Sequence, residues 1–212
     1  LANEFFDAIP IKQFVLEKKT YFEKCYSINS VSGLNEVYKK ANLEDIKKIG
    51  SYKILKGLKF IEFPKLGFGE LDKIVKKIKK LSGGVLLIDY GYLNISNKNT
   101  LQLVMKNKKI HINSLFKYLG RTDITSLVNF NLLKEYFLKR KINVKNIVSQ
   151  KFFLEKMGII ERAKILEKKM TFKQKNYMSS TLMRLLHKEL MGELFKVIFA
   201  FKSKNSNFFG FK

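Results

Sequence analysis

Residues 70–91 read ELDKIVKKIKKLSGGVLLIDYG, and this stretch decides the fold class. Apolar residues three or four apart form one stripe from Glu70 to Leu81, which predicts an amphipathic helix that Gly83-Gly84 ends. The run Val85–Ile88 has no polar alternation, which is typical of a strand that is covered on both faces in a parallel sheet. The stretch therefore predicts one helix and one buried strand of an α/β protein.

Polar residues follow that strand directly. Asp89, Tyr90 and Gly91 stand at its carboxyl end. In open α/β sheets the ligand crevice lies outside the carboxyl ends of the strands. The sequence therefore assigns these three residues to a candidate ligand site.

The segments on the N-terminal side predict strands and connections. Residues 12–30 alternate and are rich in aromatic and β-branched side chains, which indicates a strand pair. Residues 33–50 are typical of a polar, lysine-rich connection with a short helix, and Lys53–Phe63 of extended chain closed by Pro64. Gly67-Phe68-Gly69 is interpreted as a turn before the helix, because the third glycine of a dinucleotide-binding motif is absent.

The segments on the C-terminal side begin with a long polar stretch. Residues 92–128 show little periodicity, and a segment of that length is typical of a functional loop or lid. The pattern then predicts a helix at Asn131–Lys141, a strand near Val144–Val148, a helix at 151–157 ended by Gly158, further helices up to His187, and a strand at Leu194–Lys202. Alternation in this last strand indicates antiparallel pairing at the sheet edge or next to it.

The composition is that of a folded and strongly basic chain. Its 212 residues are 46% hydrophobic and 28% charged, which suits one domain or one and a half. The net charge of +24 is typical of proteins that bind polyanions. However, only four basic residues are Arg, and the lysines are spread along the whole chain. Dispersed, solvated lysine is the simpler interpretation, and a nucleic-acid or anionic-lipid partner stays open.

Several classes of site lack their motifs. Cys25 is the single cysteine, and His111 and His187 have no companion at metal-ligand spacing, so we predict neither a disulfide framework nor a metal site. A P-loop and a Gly-x-Ser-x-Gly elbow are also absent. No apolar run approaches the ~20 residues of a membrane span, and the chain does not open like a signal peptide.

Two acidic residues stand in the segment NEFFDAIP at residues 3–10. As a loop after a buried strand, Glu4 and Asp7 offer two carboxylates to a cationic or amino-bearing substrate, and a carboxylate pair can bind guanidinium. The same acids could instead stabilise the N-terminus of a helix, and both interpretations stay open. Asp123 and Thr125 are predicted, on local grounds, to form a helix N-cap.

Six short motifs occur in order along the chain. They are Asn3–Ile11 (NEFFDAIPI), Gly83-Gly84 with Ile88–Gly91 (IDYG), Thr100-Leu101-Gln102, Asp123–Phe130 (DITSLVNF), Gln150–Ile159 (QKFFLEKMGI) and Met191–Val197 (MGELFKV). Together they resemble the MidA family of S-adenosylmethionine-dependent methyltransferases. The resemblance covers nearly the whole chain.

The resemblance implies an α/β fold of the class I, Rossmann-like methyltransferase type with a late antiparallel strand, and S-adenosyl-L-methionine as cofactor. Mitochondrial members of the family are protein arginine methyltransferases that assist assembly of respiratory complex I. An arginine-bearing protein substrate, such as a complex I subunit, is therefore expected. The expected location is the bacterial cytoplasm, or the mitochondrial matrix of a eukaryote.

By the same resemblance, residues 1–212 are the C-terminal portion of one methyltransferase domain, with insertions near 20–65 and 92–128. The chain is expected to begin at the end of the fourth strand of that domain. The family's glycine-rich cofactor turn lies upstream of this point. An N-terminal half or a dimer partner is therefore expected to complete the site.

The resemblance also assigns roles to single residues. Asn3 and Glu4 are expected near the methionine end of the cofactor, and Glu4 with Asp7 is expected to orient a substrate arginine. The residues expected on the substrate side are Asp89, Tyr90, Gly91, Thr100, Gln102, Asp123, Thr125 and Gln150. Three positions depart from the family pattern and bear on substrate details: Asn107, Leu127 and Asn129.

Two other functions stay open at this point. The net charge and the interleaved aromatic residues fit an RNA-associated methyltransferase or an RNA-binding module. Against this, the motif at residues 3–6 is not the Asn-Pro-Pro-aromatic type of enzymes that act on base amino groups, so a nucleic-acid partner is disfavoured. The third alternative is a catalytically inactive product of a split gene.

Overall fold

The computed structural model describes residues 1–29, 33–94, 97–106, 108–118, 120–204 and 207–212. The strands within these residues are β1 (Ala2–Asn3), β2 (Lys12–Glu17), β3 (Thr20–Asn29), β4 (Gly33–Lys40), β5 (Phe60–Phe63), β6 (Gly83–Tyr92), β7 (Gln102–Met105), β8 (Lys108–Ile110), β9 (Asp123–Thr125), β10 (Val128–Asn129), β11 (Asn143–Val144), β12 (Val148–Ser149) and β13 (Phe195–Lys202). The α-helices are α1 (Leu43–Gly50), α2 (Lys65–Leu81), α3 (Phe130–Lys139), α4 (Gln150–Lys156), α5 (Ile159–Glu167), α6 (Phe172–Leu186) and α7 (Met191–Leu194).

The strand predicted at residues 85–88 is the middle of β6, an inner strand of the principal sheet. β1 and β10 run parallel to β6, and β13 runs antiparallel to it. β11 and β12 pair antiparallel with β13, so the late strand lies next to the sheet edge, as predicted. This mixed sheet with its helices confirms the α/β class. Val85 and Leu87 are buried, whereas Leu86 and Ile88 are half-buried, so one face of β6 is less covered than predicted.

Helix α2 is confirmed, but its predicted start at Glu70 is wrong. The helix begins at Lys65, and Gly67-Phe68-Gly69 lies inside it rather than in a turn. A Cβ atom at Gly67 would lie only 2.6 Å from the ring of Phe6. Glycine therefore stands in this helix because the segment that follows β1 packs directly against its backbone.

Residues 12–63 contain a second, antiparallel sheet in the order β4-β3-β2-β5. The β2–β3 hairpin confirms the strand pair predicted at 12–30 as far as its described residues extend. The connection predicted at 33–50 is wrong in its first part, which is strand β4, and right in its second part, which contains helix α1. A lysine-rich strand is tolerated here because β4 is an edge strand.

Extended chain at Lys53–Phe63 is only partly confirmed. Phe60–Phe63 forms strand β5, but Lys53–Leu55 is a 3₁₀ turn. Both N–H groups at Lys53 and Ile54 donate to the carboxylate of Glu135 on α3, at 2.6 and 3.0 Å. This long-range partner holds the turn and could not be read from the local pattern.

The long polar segment at 92–128 has more order than predicted. β7, β8 and β9 form a small antiparallel sheet in the order β8-β7-β9, and short 3₁₀ turns lie at Ile112–Ser114 and Phe116–Tyr118. The predicted N-cap at Asp123 and Thr125 is wrong, because both residues belong to strand β9. Periodicity within a single segment does not reveal these strands, because they are defined by their pairing with one another.

The C-terminal part follows the prediction closely. Helices α3, α4, α5 and α6 and strand β13 are confirmed. The strand predicted at 144–148 is instead two separate two-residue strands, β11 and β12, that pair with different parts of β13. None of the described helices is both long enough and apolar enough to cross a membrane.

An aromatic cluster fixes α2 and α3 against the second sheet. Phe68 packs against Phe63 and Tyr136 with ring centroids 5.4 and 4.4 Å apart. The Tyr136 hydroxyl donates to Asp72 of α2 at 2.7 Å. Burial of such aromatic side chains is a large source of stability. The cluster therefore joins α2 and α3 to strand β5 of the second sheet.

Candidate functional site

The site is built on the turn that follows β1. The backbone N–H of Glu4 still donates to the carbonyl of Ile88 at 3.0 Å, so the chain leaves the sheet only after this residue. Glu4 has a φ of 47°, in the left-handed region that a non-glycine residue seldom adopts. Such conformations persist where the surrounding structure enforces them, and they concentrate at functional sites.

Asp89 enforces this turn from the neighbouring strand. Its Oδ2 atom accepts hydrogen bonds from the N–H groups of three successive residues: Phe5 at 3.0 Å, Phe6 at 2.8 Å and Asp7 at 3.3 Å. Its Oδ1 atom accepts from Tyr90 N at 2.9 Å. Both carboxylate oxygens thus bind backbone, and Asp89 is only 3% exposed. The structure places Asp89 beneath the turn, and Asp89 lines neither of the two cavities described below.

The carboxyl group of Asp89 has a shifted pKa. Burial raises that pKa, the charge of Asp7 adds to the increase, and the backbone N–H donors oppose it, so that the pKa is about 6. The group therefore titrates near neutral pH. When Asp89 gains a proton, the N–H groups of the turn are bonded to a neutral carboxyl group instead of a charged carboxylate.

A cavity of about 450 Å³ opens beside the turn, and we call it the acidic cavity. It is lined by Glu4, Asp7, Ala8, Tyr90, Gln102, Val104, Lys109, Asp123, Thr125 and Ser126. Three carboxylates and one lysine thus meet in a chain whose net charge is +24. The local charge is opposite to that of the chain as a whole, which favours a cationic ligand.

The acidic cavity brings together six of the residues proposed from the sequence. Glu4 and Asp7 come from the turn, Tyr90 from β6, and Gln102, Asp123 and Thr125 from the small sheet. Gln102 is the direct cross-strand partner of Thr125, which explains why residues far apart in sequence meet here. Residues of β7, β8 and β9 therefore form one wall of the cavity.

Asp7 has an unusual environment within this cavity. It is 9% exposed, and its Oδ1 atom is buried without a hydrogen-bond partner among the described residues. Burial raises the pKa of its carboxyl group; the N–H of Ala8 opposes this, and the charges of Glu4 and Asp123 add to the increase. The carboxylate is thus held close to like charges without a protein cation bonded to that oxygen.

A second cavity of about 770 Å³ adjoins the acidic cavity, and Tyr90, Gln102 and Lys109 line both. Gly91 and Thr100 also line this second cavity. A Cβ atom at Gly91 would lie 2.6 Å from the ring of Phe130, so a larger residue would displace the start of α3. The hydroxyl of Thr100 donates to Glu62 at 2.5 Å and accepts from Leu127 N at 2.9 Å, which ties the cavity wall to the second sheet.

Three of the proposed residues line neither cavity: Asp89, described above, Asn3 and Gln150. Asn3 is exposed at the end of β1, and its side-chain amide donates to Glu4 at 3.3 Å. Gln150 is 4% exposed and donates to the carbonyl of Leu185 at 3.0 Å, so it joins α4 to α6. Conversely, the sequence did not single out Lys109 and Ser126. Lys109 does not stand out because lysine is frequent throughout the chain. Ser126 lies within the motif at residues 123–130, but nothing in the sequence distinguishes it from its neighbours.

The three positions that depart from the family pattern have different settings. Asn129 caps helix α3, where its side chain accepts from Leu132 N at 3.0 Å. Leu127 is exposed and lines the second cavity. Asn107 lies outside the described residues.

Two crystal structures of proteins from Burkholderia thailandensis have this fold. An uncharacterized protein matches with a TM-score of 0.75 at 20% identity, over 99% of this chain and 55% of its own chain. A second protein, bound to S-adenosyl-homocysteine, matches with a TM-score of 0.73 at 20% identity, over 99% of this chain and 53% of its own. The chain thus spans about half the length of the solved structures that it matches.

The mixed sheet with a late antiparallel strand, and the polar cavity at the carboxyl end of a parallel strand, are consistent with a class I methyltransferase-like fold. A family model described as "Putative S-adenosyl-L-methionine-dependent methyltransferase" matches residues 1–148. The chain belongs to this family of methyltransferases. The cofactor predicted from the sequence, S-adenosyl-L-methionine, is the cofactor of the family and is confirmed at that level.

The residues at the site fit such a cofactor. Its sulfonium group is cationic, and Glu4 presents an exposed carboxylate at the carboxyl end of β1, beside the acidic cavity. Asn3 is the neighbouring exposed polar residue. These two residues would hold the methionine end of the cofactor, next to the acidic cavity.

Proposed function

We propose that this chain carries the acceptor site of an S-adenosyl-L-methionine-dependent methyltransferase that methylates arginine in a protein substrate. The observation that carries the proposal is the acidic cavity: three carboxylates of a strongly basic chain converge beside the turn after β1. A guanidinium group matches such a site in charge and in hydrogen-bond donors. The resemblance to the MidA family supports the same substrate class.

The role of the chain in the reaction is to place the acceptor. When bound, the cofactor supplies a methyl carbon whose bond to sulfur breaks, with the electron pair left on sulfur, as its bond to the acceptor nitrogen forms. Glu4 and Asp7 hold the guanidinium group so that one nitrogen faces that carbon, and such positioning lowers the barrier greatly. The nitrogen loses one proton, and Asp7 is suited to accept it because its carboxylate lines the acidic cavity in which the acceptor is held.

The proposed partner is a protein, and by the resemblance to the MidA family a respiratory complex I subunit. A phosphate-rich ligand such as RNA would meet the three carboxylates of the acidic cavity, so the cavity disfavours it as the acceptor. The solved structures that match this chain extend well beyond the part it covers. We therefore include in the proposal a further segment, an N-terminal half or a dimer partner, that completes the cofactor site.

Methyl transfer from labelled S-adenosyl-L-methionine to arginine-containing peptides tests the proposal. The assay is run with the protein that carries this chain, and with Glu4→Gln and Asp7→Asn. We expect each variant to lower the rate by about 10²-fold or more, because each removes a carboxylate that orients the acceptor. Glu44→Gln is the matched control, since Glu44 is an exposed acid that pairs with Lys48 on α1. A normal rate in both site variants, or transfer to lysine peptides alone, would contradict the proposal.

A further inference from the structure

Two buried polar atoms in the described residues have no hydrogen-bond partner, and both belong to residues of the acidic cavity. They are Oδ1 of Asp7 and Oγ1 of Thr125. A buried polar atom without a partner costs about 1–3 kcal/mol, and native proteins keep few of them. Two such atoms in one cavity therefore indicate that a ligand supplies their partners.

The backbone fixes these two residues relative to each other. Ser126, which directly follows Thr125, donates its N–H to the carbonyl of Asp7 at 2.9 Å. Asp89 binds the N–H of Asp7, and Gln102 pairs with Thr125 across the strands. The two residues that carry the unpartnered atoms thus lie on elements that are hydrogen-bonded together, so their backbones are held in place before any ligand arrives.

Electrostatics decide on which side a ligand is bound. Asp7, Ala8, Thr125 and Ser126 also line a smaller cavity of about 270 Å³, so they form the wall between it and the acidic cavity. The smaller cavity contains Lys24, which pairs with Glu36. The acidic cavity is also lined by the carboxylates of Glu4 and Asp123, which do not line the smaller cavity. A cation is therefore favoured on that side.

We propose that Asp7 Oδ1 and Thr125 Oγ1 together bind two N–H groups of the methyl acceptor, and that Thr125 determines specificity for guanidinium over ammonium. The inference rests on the proposed function and deepens it by naming the atoms that select the acceptor. A guanidinium group directs several N–H donors outward in one plane, so it can bridge acceptors on two separate elements. An ammonium group is compact, and the carboxylates alone satisfy it.

The experiment uses methylguanidinium and methylammonium as probes and follows their binding by NMR of the labelled protein. The wild type is expected to bind methylguanidinium more tightly, with shifts at Thr125 and Asp7. Thr125→Val keeps the shape but removes the acceptor, and it is expected to weaken methylguanidinium binding about 10-fold. Its methylammonium binding is expected to change by less than about twofold.

Thr122→Val and Thr125→Ser are the matched controls. Thr122 lies just before β9, does not line the acidic cavity, and donates its hydroxyl to the carbonyl of Tyr118 at 3.1 Å. Thr122→Val is expected to bind both probes like the wild type. Thr125→Ser keeps a hydroxyl and is expected to restore the preference for methylguanidinium, which separates a lost acceptor from a general loss of folding.

The outcomes distinguish this inference from the proposed function. Thr125-dependent binding of methylguanidinium without methyl transfer to arginine peptides would support the site and overturn the function. Equal affinities in the wild type and Thr125→Val, an equal loss in Thr122→Val, or no saturable binding by the folded wild type would overturn the assignment of Thr125.

Discussion

Two buried aspartates in this molecule have opposite environments. Asp45, at the start of α1, is 0% exposed and accepts from Lys12 at 2.8 Å, Lys65 at 2.7 Å and Asn42 at 2.9 Å. Asp7, in the acidic cavity, is 9% exposed and has one oxygen without a partner among the described residues. Burial raises the pKa of both, but at Asp45 the two lysines outweigh burial and lower it, whereas at Asp7 it stays raised.

The difference assigns a structural role to Asp45 and a ligand-binding role to Asp7. A buried carboxylate that is fully paired holds elements together, here the second sheet and α1. A buried carboxylate that has one oxygen without a partner and faces like charges is unfavourable for folding alone, so its retention points to a ligand. The variants below test whether the two aspartates really differ in this way.

The largest effect on stability is expected for Asp45→Ala. Removing this carboxylate leaves Lys12 and Lys65 without their shared partner, and breaking such a pair lowers the free energy of unfolding by about 3 kcal/mol. Urea unfolding at neutral pH measures it. Because the pKa of Asp45 is lowered, its contribution is present at neutral pH and is lost as the pH falls through the folded-state pKa. A loss of less than about 1 kcal/mol would mean that Asp45 does not have the structural role assigned to it.

The next effect concerns Asp89 and has the opposite pH dependence. Its pKa is raised from 3.8 to about 6, so the folded state binds this proton more tightly than the unfolded state. The stability that the raised pKa contributes is therefore full below about pH 4 and is lost as the pH rises through about 6, on the order of 2–3 kcal/mol. Unfolding of the wild type and Asp89→Asn across this range measures the difference. A constant difference between the two proteins would contradict the assigned pKa.

A smaller effect is expected at Gly67, beneath the turn. Gly67→Ala places a Cβ atom against the ring of Phe6 and is expected to destabilise the protein by about 1–2 kcal/mol. Gly69→Ala is the matched control, because nothing lies within 4 Å of a Cβ there and alanine favours a helix, so stability is expected to rise by up to about 1 kcal/mol. Thermal unfolding of both variants checks the pair. Equal effects would show that the turn does not rest on α2.

The smallest effect on stability is expected for Asp7→Asn. The change removes a charge that burial, Glu4 and Asp123 all disfavour, so the free energy of unfolding is expected to stay within about 1 kcal/mol of the wild type or to rise. Urea unfolding at neutral pH measures it beside Asp45→Ala. A loss as large as that of Asp45→Ala would mean that Asp7 is a structural residue.

The sequence predicted the parts of the fold whose signal is local. The stripe between Glu70 and Leu81 and the apolar run at Val85–Ile88 are stabilised by one buried face, and periodicity detects that directly. β4 and the small sheet of β7, β8 and β9 were missed because their polar sequences have no clear apolar alternation, although β4 pairs with its neighbour β3 and β7 pairs with β8 and β9.

In the candidate site, too, some features could be predicted from the sequence and others could not. Family-like motifs identified Glu4, Asp7 and Thr125, but the position of Asp89 beneath the turn depends on three backbone bonds that span more than 80 residues. No single-sequence pattern encodes such a contact. Lys109 carried no signal because lysine is frequent throughout the chain.

The central claim is that the acidic cavity binds the cationic methyl acceptor through Asp7. The most direct test is an NMR pH titration of the Asp7 carboxyl carbon, with and without methylguanidinium. The account predicts a pKa above 3.8 in the free protein and a lower pKa when the cation is bound, because an adjacent positive charge favours the carboxylate. A pKa that does not change with saturating methylguanidinium would contradict the account.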